Sequence, residues 1–284
     1  MKIFDSSELK KLYIPRPDSS GEDNGQVTII GGSKLFHGAP ILALKAASRV
    51  VDMVFFATLE SSVGKVAERI KSQILSFIWV PWEDLEEYIK KSDAILIGPG
   101  LMRFGSEKTP DKERSHENHI EGKITREITR TLLEKFNNKH WVIDAGSLQT
   151  MDCNWIPKGA ILTPNKKEFE MLFKVKFQKE NVEMIAKKYG CVIVAKGPET
   201  IVASPEDVVV VRGGNSGMTK GGTGDVLAGL TVALLAKNEP FLAAASASFI
   251  VKRTADDIYK KVGVNYSADD LADGITETFY KLLR

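Results

Sequence analysis

The chain has 284 residues, 43% apolar and 27% charged, with 39 basic against 37 acidic side chains for a net charge of +2. Such an even balance offers no field for a nucleic acid or an anionic membrane, and no apolar run reaches bilayer-spanning length. The two cysteines, Cys153 and Cys191, lack metal-ligand spacing and read as buried thiols of a cytoplasmic protein.

Residues 1–24 are polar and read as a surface lead-in, with one short helix near Ser6–Leu12. Val27–Ile30 is the first buried strand, followed at once by Gly31-Gly32-Ser33. Pro40 suits the first turn of a helix that runs on through Ile41–Val51. Met53–Ala57 is a strand, Val63–Ile70 a helix, Ile74–Trp79 a strand and Trp82–Lys90 an amphipathic helix. Ala94–Ile97 is a continuous apolar strand that runs into Gly98-Pro99-Gly100-Leu101. Residues 103–122 are strongly charged, contain Gly105, Pro110 and Gly122, and read as an exposed insert. His116 and His119 have helical spacing, but in so polar a run a solvated loop outweighs a zinc site.

Lys123–Asn137 is a helix, and Trp141–Ile143 a strand with Asp144 at its carboxyl end. Ala160–Leu162 is a strand ending in Thr163-Pro164-Asn165, and a short helix begins by Glu168–Phe173. Asn181–Tyr189 is a helix with Gly190 fitting its C-terminal cap. Cys191–Ala195 leads to Lys196-Gly197. Thr200–Ala203 and Val208–Val211 flank a hairpin-like turn at 204–207. The remainder is helical: the segment after Asp225, then Pro240–Tyr259, then Ala268–Leu283. Strands alternate with helices and are apolar on both faces. This predicts an α/β fold, a mostly parallel sheet covered by helices on both sides, in a single domain over 1–284.

Ligands in open α/β sheets bind outside the carboxyl ends of the strands. Gly31-Gly32-Ser33, Gly98-Pro99-Gly100, Asp144, Thr163-Pro164-Asn165 and Lys196-Gly197 all fall there. Each alone is equally readable as a turn, a helix cap or a surface lysine.

The most informative stretch is Gly213 to Gly229, which leaves the Val208–Val211 strand and enters an almost uncharged helix. Gly221, Gly222 and Gly224 leave backbone N–H groups uncovered at a helix start, where unpaired donors and the helix dipole favour an anion such as phosphate. Asp225 repels that phosphate, so a passive binder gains little from it. The carboxylate makes sense as the base that takes a proton from a hydroxyl attacking phosphorus. The bland alternative is that Asp225 caps the helix and the glycines make a turn. No P-loop spacing is present.

Asn215-Ser216-Gly217-Met218, followed after two residues by Gly221-Gly222-Thr223-Gly224-Asp225-Val226-Leu227, resembles the signature of the NAD(P)H-hydrate dehydratases, nucleotide-dependent repair enzymes of ribokinase-like fold. Gly31-Gly32-Ser33 with Gly38-Ala39-Pro40, Gly98-Pro99-Gly100-Leu101, Thr163-Pro164 with Glu168-Phe169, and Lys196-Gly197 with Thr200 match in the same order, over 27 to about 275. The resemblance implies that the S form of hydrated NADH or NADPH is phosphorylated at the expense of ADP or ATP, with Mg²⁺ on the phosphates, and then loses phosphate. It implies Asp225 as the catalytic base and the N–H groups of Gly222, Thr223 and Gly224 as the anion hole. Lys196, Gly197, Pro198, Glu199, Thr200 and Gly224 would hold the adenine nucleotide. Ala39, Gly98, Gly100, Asn165 and Asp225 would meet the hydrate. It implies a homo-oligomer, often a tetramer. A separate epimerase is expected beside it, since residues 1–24 are too short to hold that domain.

The sequence also departs from the family. Asn165-Lys166-Lys167 stands where His-Pro-Gly is usual, Ser216 where Pro is, and Thr219-Lys220 where Ala-Thr is. Ala145-Gly146-Ser147 after Asp144 is uncommon, and 103–122 has no counterpart. Lys220 is long enough to reach a phosphate, but reads rather as pointing to solvent. A small-molecule kinase of the same fold, acting on hydroxymethylpyrimidine, hydroxyethylthiazole or a sugar, shares Asp225 and the anion loop. A nucleotide sensor without catalysis is the reading from another class.

Overall fold

Four apolar segments, each too short and β-branched to favour a helix, set the centre of the sheet: β1 (Gln26–Ile30), β2 (Met53–Ala57), β4 (Ala94–Ile97) and β5 (His140–Ile143). The computed structural model describes residues 2–60, 62–65, 76–104 and 112–284, without the side chains of 112–119. The other strands are β3 (Ile78–Trp79), β6 (Ile161–Leu162), β7 (Val192–Ala195), β8 (Thr200–Ala203) and β9 (Val208–Val211). They form one nine-stranded sheet in the order β3-β2-β1-β4-β5-β6-β7-β8-β9. Pairs from β3 to β7 are parallel, and β8 and β9 close the sheet as antiparallel neighbours.

Side chains alternate between two cores. Along β4, Ala94 and Leu96 face one core while Ile95 and Ile97 face the other. The first core is covered by α1 (Gly38–Ala47), α7 (Thr223–Leu235), α8 (Pro240–Val262) and α9 (Ala268–Leu282). The second is covered by α2 (Leu85–Lys91), α3 (Lys112–Lys135), α4 (Ala145–Thr150), α5 (Lys166–Phe173) and α6 (Lys179–Tyr189). Burial on both faces is the condition a parallel sheet needs. α7 lies against α1 so closely that a Cβ on Gly229 would stand 2.1 Å from the Ala43 carbonyl oxygen.

Two expectations need correction. The lead-in does more than cover surface: Phe4 N donates to Val210 O, Val210 N donates to Lys2 O, and Phe4 and Leu9 are buried. It therefore extends the sheet past β9 and covers an edge that would otherwise stand open. The 103–122 run is not a loop throughout, because α3 begins at Lys112. Residues 105–111 and the side chains of His116 and His119 lie outside the described residues. So do most of the expected helix Val63–Ile70, of which 63–65 are helical, and the start of the strand Ile74–Trp79.

Between β1 and β4 the strand order reverses, which opens a crevice at the carboxyl ends. There Gly32 N donates to Pro99 O at 2.8 Å, so the loops after β1 and β4 interlock.

Candidate active site

The glycine-rich loop ends with Gly222 as the N-cap of α7, and no side chain caps the helix. Thr223, Gly224 and Asp225 form its first turn, where N–H groups have no acceptors inside the helix. The Thr223 hydroxyl donates back to Met218 O at 2.7 Å and Lys220 O at 3.0 Å, which braces the loop from behind. Asp225 is in the first turn without capping it, so the bland alternative accounts for the glycines but not for the carboxylate.

Asp225 belongs to a charge cluster built from three other strand ends. Lys196, just after β7, donates to Asp144 Oδ1 at 2.9 Å and stands 3.9 Å from Glu168 Oε2. Asp144, just after β5, is buried and also accepts from Thr163 Oγ1 at 2.7 Å. It precedes α4 without capping it through its side chain. Glu168 forms a capping box with Asn165 at the start of α5 and accepts from Gln149 Nε2 at 3.0 Å. A Cβ on Gly224 would lie 3.4 Å from Lys196 Nζ, so the absent side chain brings that ammonium up to the anion loop.

The electrostatics follow from burial and from three carboxylates sharing one cation. Burial first, then the charge of Asp144, pushes the Asp225 carboxyl up to about 7, against the pull of Lys196. Glu168 is raised by burial too, with Lys196 opposing and Asp144 adding. Burial works against the Lys196 cation, yet Asp144 and Glu168 outweigh it and hold its pKa above the ordinary value. Asp225 is therefore poised near neutrality, where a general base is most effective.

A cavity of about 700 Å³ opens beside this cluster, within the range of small-molecule sites. One wall is the β7–β8 turn with Lys196, Gly197, Pro198 and Thr200, and the other is the loop from Gly213 to Thr219. Thr223, Gly224 and Asn165 also line it. The structure thus gathers most of the expected nucleotide residues. Glu199 is the exception: its side chain points to the surface and pairs with Arg212 at 2.8 Å. Ala39, Gly98 and Gly100 do not line the cavity. A Cβ on Gly98 would stand 1.8 Å from the Asp144 carbonyl oxygen and one on Gly100 2.3 Å from Phe36 O, while Ala39 is half-buried in the first turn of α1. Asn165 Oδ1 is engaged by the Glu168 N–H in the helix cap.

Three side chains gave no functional signal in the sequence. Lys252 donates to Gly197 O, Pro198 O and Gly213 O, and Asp256 accepts from Gly214 N at 3.0 Å. Tyr266 OH donates to Asn215 Oδ1 at 2.8 Å. The signal that would have found Lys252 is a cation among the small apolar residues of the Ala- and Ser-rich helix α8. Lys220 is exposed, and its ammonium bonds Val264 O and Tyr266 O, bracing the loop before α9.

A model of the family described as NAD(P)H-hydrate dehydratase matches residues 27–277. The chain belongs to that family. The match does not favour the small-molecule kinase. A bifunctional NAD(P)H-hydrate repair enzyme of Methanocaldococcus jannaschii is 35% identical over 220 residues, covering 74% of this chain and 39% of the relative. The chain thus spans about two fifths of that relative's length. A ribokinase-like superfamily protein of Enterococcus faecalis superposes with a TM-score of 0.81 at 22% identity, over 99% of this chain and 96% of the other. An ADP/ATP-dependent NAD(P)H-hydrate dehydratase of Bacillus subtilis, co-crystallised with ATP/Mg²⁺, superposes with a TM-score of 0.76 at 21% identity, over 99% and 98%. The fold is ribokinase-like.

Proposed function

We propose that this protein is an ADP- or ATP-dependent dehydratase acting on the S form of hydrated NADH or NADPH. The observation that carries the reading is the Asp225 carboxyl in the uncapped first turn of α7, next to Thr223 and Gly224, which with Lys196 line a cavity of about 700 Å³; burial raises that carboxyl toward neutrality. Family membership supports the substrate, and the Bacillus relative, co-crystallised with ATP/Mg²⁺, supports the nucleotide.

The chemistry follows from these groups. Asp225 takes the proton of the ring hydroxyl, and the oxygen attacks the terminal phosphorus of the nucleotide. The bond from that phosphorus to the nucleotide's bridging oxygen breaks, leaving a nucleotide shorter by one phosphate. The first-turn N–H groups of Thr223 and Gly224, with that of Gly222, hold the phosphoryl oxygens as charge builds. Lys196 supplies positive charge beside them. The new phosphate ester leaves far more readily than hydroxide. The ring nitrogen pushes its electron pair as the carbon–oxygen bond breaks, and a proton is lost from the neighbouring carbon. Dihydronicotinamide and inorganic phosphate result.

Among the described residues no three His, Cys, Asp or Glu side chains form a metal cage. Mg²⁺ needs few protein ligands and is usually carried on phosphates with one or two carboxylates. Asp144 and Glu168 are engaged by Lys196, Thr163, Gln149 and the Asn165 N–H and do not line the cavity, so they do not fit as its ligands and such an ion would be carried by the phosphates. It would neutralise charge on the phosphates.

Hydrated NADH incubated with ADP or ATP and Mg²⁺ should regain its near-ultraviolet absorbance, and should not without nucleotide. A stable phosphorylated product, or recovery that ignores nucleotide, refutes the reading. The reading includes a cytoplasmic homo-oligomer, a tetramer by resemblance, and a separate epimerase. The bifunctional relative supports a second activity alongside the first. It also keeps Ala39, Gly98, Gly100 and Asn165 on the hydrate side and Glu199 on the nucleotide side. Among the described residues no helix is long and apolar enough to cross a membrane.

A further inference from the structure

The two walls of the cavity are the β7–β8 turn and the loop after β9, joined at their base by the β8–β9 hairpin, where Thr200 pairs with Val211 and Glu199 with Arg212. Beyond that base a buried side chain bridges them. Lys252, on α8 and only 5% exposed, sends its ammonium to Gly197 O at 3.2 Å and Pro198 O at 2.6 Å on one wall, and to Gly213 O at 3.0 Å on the other. An ammonium has three donors. These three carbonyls use all of them.

The second wall is gripped twice. Gly213 O and Gly214 N belong to one trans peptide, so they point in opposite directions. Lys252 takes the oxygen, and Asp256, one turn further along α8, takes the N–H with Oδ2 at 3.0 Å. Asp256 Oδ1 also accepts from Asn215 Nδ2 at 3.3 Å. The cation thus meets the carbonyl end and the carboxylate meets the N–H end. Gly213 and Gly214 have φ of 99° and 79°, where only glycine is at ease, and a Cβ on Gly213 would approach Asp256 Oδ2 to 3.0 Å.

We infer that Lys252 is a positioning residue for nucleotide binding: with Asp256 it clamps the two cavity walls at a fixed separation and orientation. It has no donor left for a ligand, so it acts through the backbone it holds. The clamp also explains why burial is tolerated although it lowers the Lys252 pKa, with Asp256 and Glu199 opposing that shift. Walls held in advance spare the nucleotide the cost of ordering them.

This inference rests on the cavity being the nucleotide site, and the test separates the two. ADP and ATP, each with Mg²⁺, are titrated calorimetrically into wild type and Lys252→Met, which keeps the apolar stem and loses the donors. The expected result is a tenfold or larger rise in Kd and in KM for nucleotide, with a much smaller change in kcat. Lys252→Arg should recover part of the affinity. A melting curve checks that the variant is folded. If it is not, Lys252→Gln, whose amide still donates to part of the set, is read instead with a rise of about threefold or more. A folded variant with wild-type Kd overturns the inference, as does a loss confined to kcat. If wild type itself binds neither nucleotide, the functional reading fails instead.

Discussion

Asp225→Asn removes a charge while keeping the side chain's size, and it should make the protein inactive and more stable at once. In the fold, burial and then Asp144 raise the Asp225 carboxyl from 3.8 to about 7. Below the unfolded value both states hold the proton. Between the two values only the fold holds it, and stability falls as pH rises. Above about 7 the ionised fold carries the full penalty. A shift of about three pH units corresponds to about 4 kcal/mol. Asp225 is only half-buried, so solvent screening reduces this to about 1–2 kcal/mol. With an unfolding entropy of about 0.6 kcal/mol/K for a chain of this length, the variant should melt about 2–3 °C above wild type at about pH 8. The gain should shrink toward zero as pH falls from about 7 to about 4. Scanning calorimetry of nucleotide-free protein across that range measures it. Turnover should fall about 10²- to 10⁴-fold with nucleotide Kd nearly unchanged. A gain that is absent at pH 8, or the same at every pH, refutes the argument that Asp225 is a penalised carboxylate. Turnover within about tenfold of wild type refutes its role as base.

Three further outcomes follow from the structure. The pH profile of kcat/KM should show an acid limb centred near 7, because protonated Asp225 cannot accept the hydroxyl proton. Lys196→Met should move that limb upward, since the ammonium is what pulls Asp225 down; a limb that stays in place separates the two groups. Gly98→Ala should cost about 3 kcal/mol or more, seen as a lower Tm, because its Cβ would meet the Asp144 carbonyl oxygen at 1.8 Å and its φ is 122°. Wild-type stability in that variant would show that the β4 and β5 loops can separate.

The sheet was legible because its strands are apolar on both faces, and a run such as Ala94–Ile97 or Val208–Val211 has few other ways to be buried. The start of α7 was legible for a local reason: glycines followed by an acid are unusual at a helix start. Features that depend on distant partners were less readable. Phe4 and Leu9 gave no pattern in a polar lead-in, because their partners lie some 200 residues on, at β9 and α8. The charged stretch around Lys112 read as a loop because its composition lacks an apolar periodicity, yet α3 begins there. Glu168 was visible only as part of a matching frame, although its spacing from Asn165 is that of a capping box. Its place beside Lys196 comes from strand order, since β6 and β7 are neighbours. Lys252 and Asp256 are one helical turn apart, a spacing common on any helix, and nothing local pointed to Gly213.

The two cavity lysines show how burial alone fails to set a cation's task. Burial works against both. Lys196 stays above its ordinary pKa because Asp144 and Glu168 outweigh burial, whereas Lys252 falls below it because burial outweighs the charges of Asp256 and Glu199, its own hydrogen bonds going to carbonyls. A carboxylate offsets a buried cation far better than a dipole does. Their remaining capacity differs as well. Lys196 bonds Asp144 and only approaches Glu168, which leaves donors for a phosphoryl oxygen arriving at Gly224. Lys252 has spent its donors on three carbonyls. Charge at Lys196 therefore acts on the protonation of Asp225 and, on the proposed function, on the phosphoryl group. Charge at Lys252 acts on the shape of the cavity. Neutralising the first should appear in rate and in the acid limb, and neutralising the second in affinity. Matching effects from both substitutions would contradict this division, because a purely electrostatic cavity would treat the two cations alike.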